Sequence, residues 1–200
     1  MKSLLDSFTA AFSCKYSTHD RGRWSCFRQI ALFLLAQEKP IHIVETGGLR
    51  GPGNFDGDGN STILWDWLSS QTGGTLISLD LHDHCGKHML EHCPGMISGS
   101  SHFVRGDSLE WILTHSHKLS AVSLLYLDSY DYSSAQRGRA SLHAAGELAL
   151  AWDALPSGCL IAIDDCISVD EGKHLLISNF FRLQGIPPVL DTYITAWVKP

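Results

Sequence analysis

The sequence predicts an α/β protein built on a doubly wound, mostly parallel sheet. Short apolar runs of strand length alternate with segments whose apolar residues recur at helical spacing, the order that generates βαβ units. The run from Ala121 to Leu127 is apolar almost without interruption, as in strands covered on both faces. Acids close these runs: Glu45, Asp80, Asp107, Asp128, Asp164 and Asp165 all fall at or just beyond strand ends. Ligands of such sheets bind outside the carboxyl ends of the strands, so these acids share the edge where a ligand would sit.

Taken in order, the chain reads as one domain: a helical N-terminal segment over 1–39, then an α/β core over 40–200. From Asp20, DRGRWSCFRQIALFLLAQ places Trp24, Phe27, Ala31 and Leu34 at helical spacing and stops before Pro40. Ile41, Ile43 and Val44 form a β-branched run that ends in Glu45 and in Gly47, Gly48 and Gly51; a helix-compatible run follows Ser61 and Thr62. Glycines in such a strand-to-helix loop let a ligand approach the backbone, although an ordinary turn has the same composition. The dinucleotide fingerprint and the phosphate-binding loop are both absent, so neither NAD nor ATP is favoured. Asp56, Asp58 and Asn60 imitate the start of a calcium loop but lack its following glycine and its distal glutamate, which leaves a polar loop.

Thr75 to Leu79 is a second strand that delivers Asp80. An acid there can accept both ribose hydroxyls of a nucleoside, or simply be a solvated strand end. The interval from Gly47 to Asp80 exceeds the ~20 residues of dinucleotide folds, and the long first loop explains much of the excess. The segment after it carries His82, His84, Cys85, His88, His92 and Cys93, a composition that zinc would accept, yet no C-x-x-C or H-E-x-x-H forms. His102 to Val104 leads into Gly106, Asp107 and Ser108, where Asp107 or Ser108 would cap the next helix. After Asp128, a long helix presents Leu142, Ala145, Leu148, Trp152 and Leu155 as one stripe and ends at Pro156 and Gly158. Cys159 to Ile163 is the next strand and delivers Asp164 and Asp165.

Composition narrows the function. Two hundred residues with 44% hydrophobic content fit one full core. A formal charge of −6 without a Lys/Arg cluster argues against a nucleic-acid partner. No apolar stretch is long enough to cross a bilayer and no export signal is evident, so we expect no membrane association and a cytoplasmic location. The six cysteines are then expected as free thiols.

The first loop, with E-x-G-x-x-x-G at Glu45, Gly47 and Gly51, resembles the first motif of class I S-adenosylmethionine methyltransferases. LLYLDSYDYSSA and LPSGCLIAIDDC resemble a narrower group, the metal-dependent macrocin O-methyltransferases. The similarity continues through EGKHLLISNFFRLQGIPPVLDTYITAWVKP, with a helix, a G-I-x-x-P turn and an aromatic-rich last strand. It covers roughly Ile41 to Lys199. The chain departs from the group at Cys166, where an aromatic is usual, and in PGNFDGDGN, which lengthens the first loop.

The resemblance implies a Rossmann-like methyltransferase fold and S-adenosylmethionine as cofactor. Glu45, Gly47, Gly48, Gly51, Ser61, Asp80, Asp107, Ser108 and Asp128 would bind it. Asp128, Asp164 and Asp165 would hold a divalent cation, magnesium rather than zinc because every ligand is an oxygen. The metal would lower the pKa of an acceptor hydroxyl, and Asp131, Tyr130 or His82 would take the proton, Asp131 foremost. Asp131 serves equally as an N-cap for the long helix. No [DN]-P-P-[YF] follows the fourth strand, which favours oxygen as the acceptor atom, on a small molecule or sugar. Two rival readings stand: a non-catalytic binding or scaffold domain on the same fold, and a zinc-dependent hydrolase using the His/Cys segment. The sequence shows no interface pattern, and a homodimer is compatible with it.

Overall fold

Period-two alternation sorts the strand residues onto two covers, and this fixes the architecture. The computed structural model describes residues 2–17, 22–51, 53–58, 60–82, 87, 91, 101–133, 135 and 137–200. Ile43, Leu76, Leu124, Tyr126 and Leu160 face one way, against α1 (Lys2–Phe12), α2 (Arg23–Leu35) and α4 (Ser61–Thr72) through Phe8, Phe27, Leu34 and Trp65. Val44, Leu79, Leu125, Leu127, Ile161 and Ile163 face the other way. They meet α5 (Ser108–Thr114), α6 (Arg137–Ala151) and α7 (Leu175–Leu183) through Trp111, Ile112, Leu148 and Phe181. Each such side chain contributes roughly 1.5–3 kcal/mol on burial, so the two covers are the main source of stability.

The sheet has β1 (His42–Thr46) at its centre, paired in parallel with β2 (Thr75–Asp80) and β4 (Leu124–Leu127). β3 (Ser101–Arg105) extends the β2 side and β5 (Leu160–Ile163) the β4 side, both parallel. A short ribbon, β6 (Cys166–Ser168) with β7 (Glu171–Gly172), stands apart from the main sheet. The chain then returns through β8 (Leu190–Asp191) and β9 (Thr195–Val198), and β9 lies antiparallel beside β5. The strand order is β3-β2-β1-β4-β5-β9-β8. The doubly wound, mostly parallel sheet expected from the sequence is present.

Three local expectations change. The fourth strand starts at Leu124, because Ala121 to Ser123 turn into it; the Ser123 amide still bonds the His42 carbonyl at 2.7 Å. The long helix starts at Arg137, so Asp131 does not cap it. Its buried face runs through Ala140, Ser141, Ala144, Glu147, Leu148 and Ala151, which leaves Leu142 65% exposed. The face is set by what α6 packs on, including polar partners, and the leucine pattern alone misplaces it.

The insertion in the first loop forms a one-turn helix, α3 (Phe55–Asp58), folded against the N-terminal helices. Phe55 packs edge-on to Tyr16 with ring centroids 5.3 Å apart, and Asp56 accepts the Ser17 amide at 2.8 Å. Cys14, Cys26, Cys159 and Cys166 form no disulfide. No described helix is long and apolar enough to cross a membrane.

Candidate functional site

A cavity of about 300 Å³ opens at the carboxyl edge, lined by the loops after β1, β2, β3 and β4. Its floor depends on Gly47, at φ +83°. A Cβ built there would lie 2.5 Å from the Asp128 carbonyl oxygen and 2.8 Å from the Ser129 amide nitrogen, so only glycine lets the β1 loop close onto the end of β4. Asp80 reaches across from β2: its Oδ2 accepts the Gly48 amide at 3.1 Å and its Oδ1 the His82 amide at 2.8 Å. Asn60, just before α4, lines the same cavity and is 2% exposed. Its Oδ1 accepts the Gly53 amide at 3.1 Å while its Nδ2 has no hydrogen-bond partner.

Behind this wall lies Glu45, fully buried. Its carboxylate accepts the hydroxyls of Ser61, Thr62 and Ser78 at 2.6, 2.7 and 2.7 Å. Burial pushes its carboxyl up to about 7, although the three hydroxyls pull the other way. Glu45 therefore ties β1 to β2 and α4 and does not line the cavity. Gly51 also lies outside the lining; Ser61 does line it, with its hydroxyl turned to Glu45.

On the β3 side, Asp107 does two things. It caps α5 by accepting the Glu110 amide at 3.0 Å, and it lines the cavity. Ser108 donates to the buried Glu147, which also accepts the Ser129 hydroxyl at 2.6 Å and lies 3.3 Å from His143 Nε2. The Glu147 hydrogen bond raises the His143 pKa against the pull of partial burial. Tyr130, held at φ +64°, rests its ring 5.7 Å from the His143 imidazole.

Asp128, Asp164 and Asp165 do converge, but with two cations already among them. Lys173, 1% exposed, sets its ammonium 2.7 Å from Asp128 Oδ1 and 3.0 Å from Asp165 Oδ2. Arg23 on α2 lies 3.5 Å from Asp164 Oδ2 and 3.6 Å from Asp165 Oδ1, and donates to the Gly57 carbonyl at 2.9 Å. Asp164 Oδ2 also accepts the Tyr126 hydroxyl at 2.7 Å, and Asp165 Oδ1 the Tyr193 hydroxyl at 2.6 Å. Burial alone would depress the Lys173 pKa; Asp128 and Asp165 outweigh it and hold it above the ordinary lysine range. A second cavity of about 380 Å³ lies over this cluster, lined by Arg23, Arg50, Asp58, Asp128, Asp165 and Tyr193 among others. Asp128, Asp58 and Arg50 line both cavities.

A central parallel array with an antiparallel strand inserted beside β5, and a glycine cradle facing a β2 acid, is a specific combination. The fold is the Rossmann-like methyltransferase fold. Among solved structures, the methyltransferase MycE from the mycinamycin biosynthetic pathway, in complex with Mg and SAH, is similar over 98% of this chain and 54% of that one, with 16% identity and a TM-score of 0.62. The calicheamicin methyltransferase CalS11 is similar over 89% of this chain and 80% of that one, with 12% identity and a TM-score of 0.60. The O-methyltransferase NovP is similar over 88% and 79%, with 13% identity and a TM-score of 0.61. The chain thus spans about half the length of MycE. No protein-family model matches the sequence, and no curated protein matches it.

Within this methyltransferase fold, Gly47, Gly48, Ser61, Asp80, Asp107, Ser108 and Asp128 line one cavity, as do Tyr130 and Asp131. Asp131 sits at the rim, its side chain 74% exposed and its carboxylate bound by Arg50 at 2.6 Å. The expected divalent-cation set fits poorly. Asp164 is closed off by Tyr126 and Arg23, the Lys173 ammonium lies between Asp128 and Asp165, and no group of His, Cys, Asp or Glu among the described residues is arranged to hold a metal. Of the His/Cys segment, only His82 is described: its amide bonds Asp80 and its side chain is exposed. His84, Cys85, His88, His92 and Cys93 lie outside the described residues. Sequence reasoning missed Arg23, Asn60, His143, Glu147 and Lys173. The (i, i+4) spacing of His143 and Glu147 was one available signal.

Proposed function

We propose that this chain is an S-adenosylmethionine-dependent methyltransferase acting on a hydroxyl of a small molecule. The observation that carries this reading is the pair of adjoining cavities that meet at Asp128, one behind the glycine cradle and one over the acid cluster. The first suits the cofactor. Asp80 would accept the ribose hydroxyls, the free Asn60 Nδ2 and the amides opening α4 would meet the methionine carboxylate, and Asp107 and Ser108 would flank the adenine. When bound, the cofactor supplies an electrophilic methyl group on a sulfonium centre.

The second cavity suits the acceptor. Its arginines are already bound to carboxylates, so it favours a neutral, hydroxyl-bearing or cationic molecule over a phosphate or nucleic acid. Asp128 is the base in this reading: Oδ1 is engaged by Lys173, and the carboxylate borders both cavities, so it can receive the proton that the acceptor hydroxyl loses. Asp131 would then align the rim through Arg50. Magnesium has no step here, because the acids it would need are neutralised by Lys173 and Arg23. MycE, CalS11 and NovP, which share the fold, are methyltransferases, and this supports the reaction class.

Calorimetric titration with S-adenosylmethionine and S-adenosylhomocysteine tests the reading. Micromolar binding that weakens by about tenfold or more in Asp80→Ala supports it. Absence of binding of either ligand to the folded wild type overturns it.

A further inference from the structure

We infer that the Lys173 ammonium stands in the place of a divalent cation, so that the strand-end acid cluster of this chain is complete without metal. The inference rests on the methyltransferase reading only for its catalytic meaning; the electrostatics are independent of it.

An ammonium has three protons to place, and here each has an acceptor. Lys173 Nζ lies 2.7 Å from Asp128 Oδ1, 3.0 Å from Asp165 Oδ2 and 3.3 Å from the Asp128 carbonyl oxygen. The group is therefore saturated and fixed at the centre of the site. A hard divalent ion would need about six oxygens drawn in to roughly 2.0–2.1 Å, which cannot coexist with an ammonium between two of its three carboxylates. The third, Asp164, is 1% exposed and spends Oδ1 on the Asp165 amide at 2.7 Å and Oδ2 on Tyr126. Three carboxyl groups thus face two cationic side chains, Lys173 and Arg23, without any ion.

The backbone is shaped to deliver this lysine. The β6–β7 ribbon turns back at once, and Gly172, at φ +148°, passes so close to the strand end that a Cβ would lie 2.7 Å from the Asp165 carbonyl oxygen. The Lys173 amide then bonds that same carbonyl at 3.3 Å. Asp165 itself adopts a left-handed φ of +55°, which aspartate tolerates better than most residues. A side chain buried by a glycine-dependent hairpin and a left-handed acid is built into the site, and the resulting charge orients Asp128 from beneath. Lys173 is a positioning residue: all of its donors are directed at protein acceptors.

The test is titration of the full chain with Mn²⁺, followed by water-proton relaxation, for wild type and Lys173→Met, with thermal unfolding with and without Mn²⁺. S-adenosylhomocysteine binding is measured in the same samples, and its absence would count against the cofactor reading while leaving the Mn²⁺ result intact. The expected result is no wild-type binding below millimolar Mn²⁺. Lys173→Met should bind Mn²⁺ about tenfold or more tightly than wild type and be stabilised by it. Micromolar Mn²⁺ binding by wild type overturns the inference, and so does a folded Lys173→Met that gains no affinity. If that variant does not fold with or without Mn²⁺, the wild-type titration decides by the same criterion.

Discussion

Glu45 and Ser78 are register partners across β1 and β2, and on that rung the Ser78 hydroxyl donates to Glu45 Oε2 at 2.7 Å. Ser61 and Thr62 reach the same carboxylate from the first turn of α4. The acid that opens the glycine motif is thus a clamp behind the cavity, holding a strand and a helix to β1.

The clamp has a pH signature. Burial raises the Glu45 carboxyl from 4.5 to about 7, so the folded state prefers the protonated form. Its contribution to stability is whole below the unfolded value and is lost as pH rises toward the folded one. Glu45→Gln should abolish this slope, leaving the variant less disadvantaged at about pH 8 than at about pH 5 by on the order of 3 kcal/mol. Urea unfolding at the two pH values measures it, and parallel curves would show that Glu45 ionises without cost.

Gly47→Ala should be among the most damaging single-methyl changes in the chain. The new Cβ meets backbone atoms of Asp128 and Ser129 that cannot rotate away, and φ +83° adds left-handed strain. A loss of about 2 kcal/mol or more is expected, together with weaker binding of S-adenosylhomocysteine. Denaturant midpoint and calorimetry report the two effects separately. An unchanged midpoint would mean that the β1 loop can retreat from β4.

Most of the fold was legible because apolar alternation is a local signal. The strands from Ile43 to Ile163 appear in the order their runs predict, the fourth starting three residues late at Leu124, and the acids closing them lie on one edge. The site was less legible because its determinants are contacts between distant segments. Nothing near Arg23 announces that it will reach Asp164, and nothing near Lys173 announces that a hairpin will carry it back to Asp128. A carboxylate triad reads as a metal site until its counter-ions are placed. Leu142 failed for a related reason: helical spacing gives a stripe, while the buried face is chosen by the neighbours, here in part by Ser108 and Glu147.

His143 and Glu147 offer a spectroscopic prediction. The Glu147 hydrogen bond raises the His143 pKa, so the imidazole should titrate above the ordinary histidine range by NMR, and Glu147→Gln should bring it down. For a raised histidine the stabilising interaction is full below the unfolded pKa and disappears as pH rises through the folded one. The destabilisation caused by Glu147→Gln should therefore be larger in mildly acidic than in alkaline buffer. A His143 titration identical in both proteins would refute the coupling.

Asp128 and Asp131 stand three residues apart, and the proposed function gives them different roles in accepting the proton. Asp131 is exposed and bound to Arg50, in an ion pair that solvent screens. Asp128 borders both cavities and has Lys173 fixed on one oxygen. Once an acceptor is identified, Asp131→Asn should keep kcat within about threefold of wild type. Asp128→Asn should lower it by about 10²–10⁴ while leaving S-adenosylhomocysteine affinity within a few-fold. Loss of affinity in step with kcat would make Asp128 a binding group, since a base acts on the transition state and not on the bound cofactor. The reverse pattern, with Asp131→Asn inactive and Asp128→Asn active, would return the base to the rim and leave the Lys173–Asp128 pair as scaffolding for the glycine cradle.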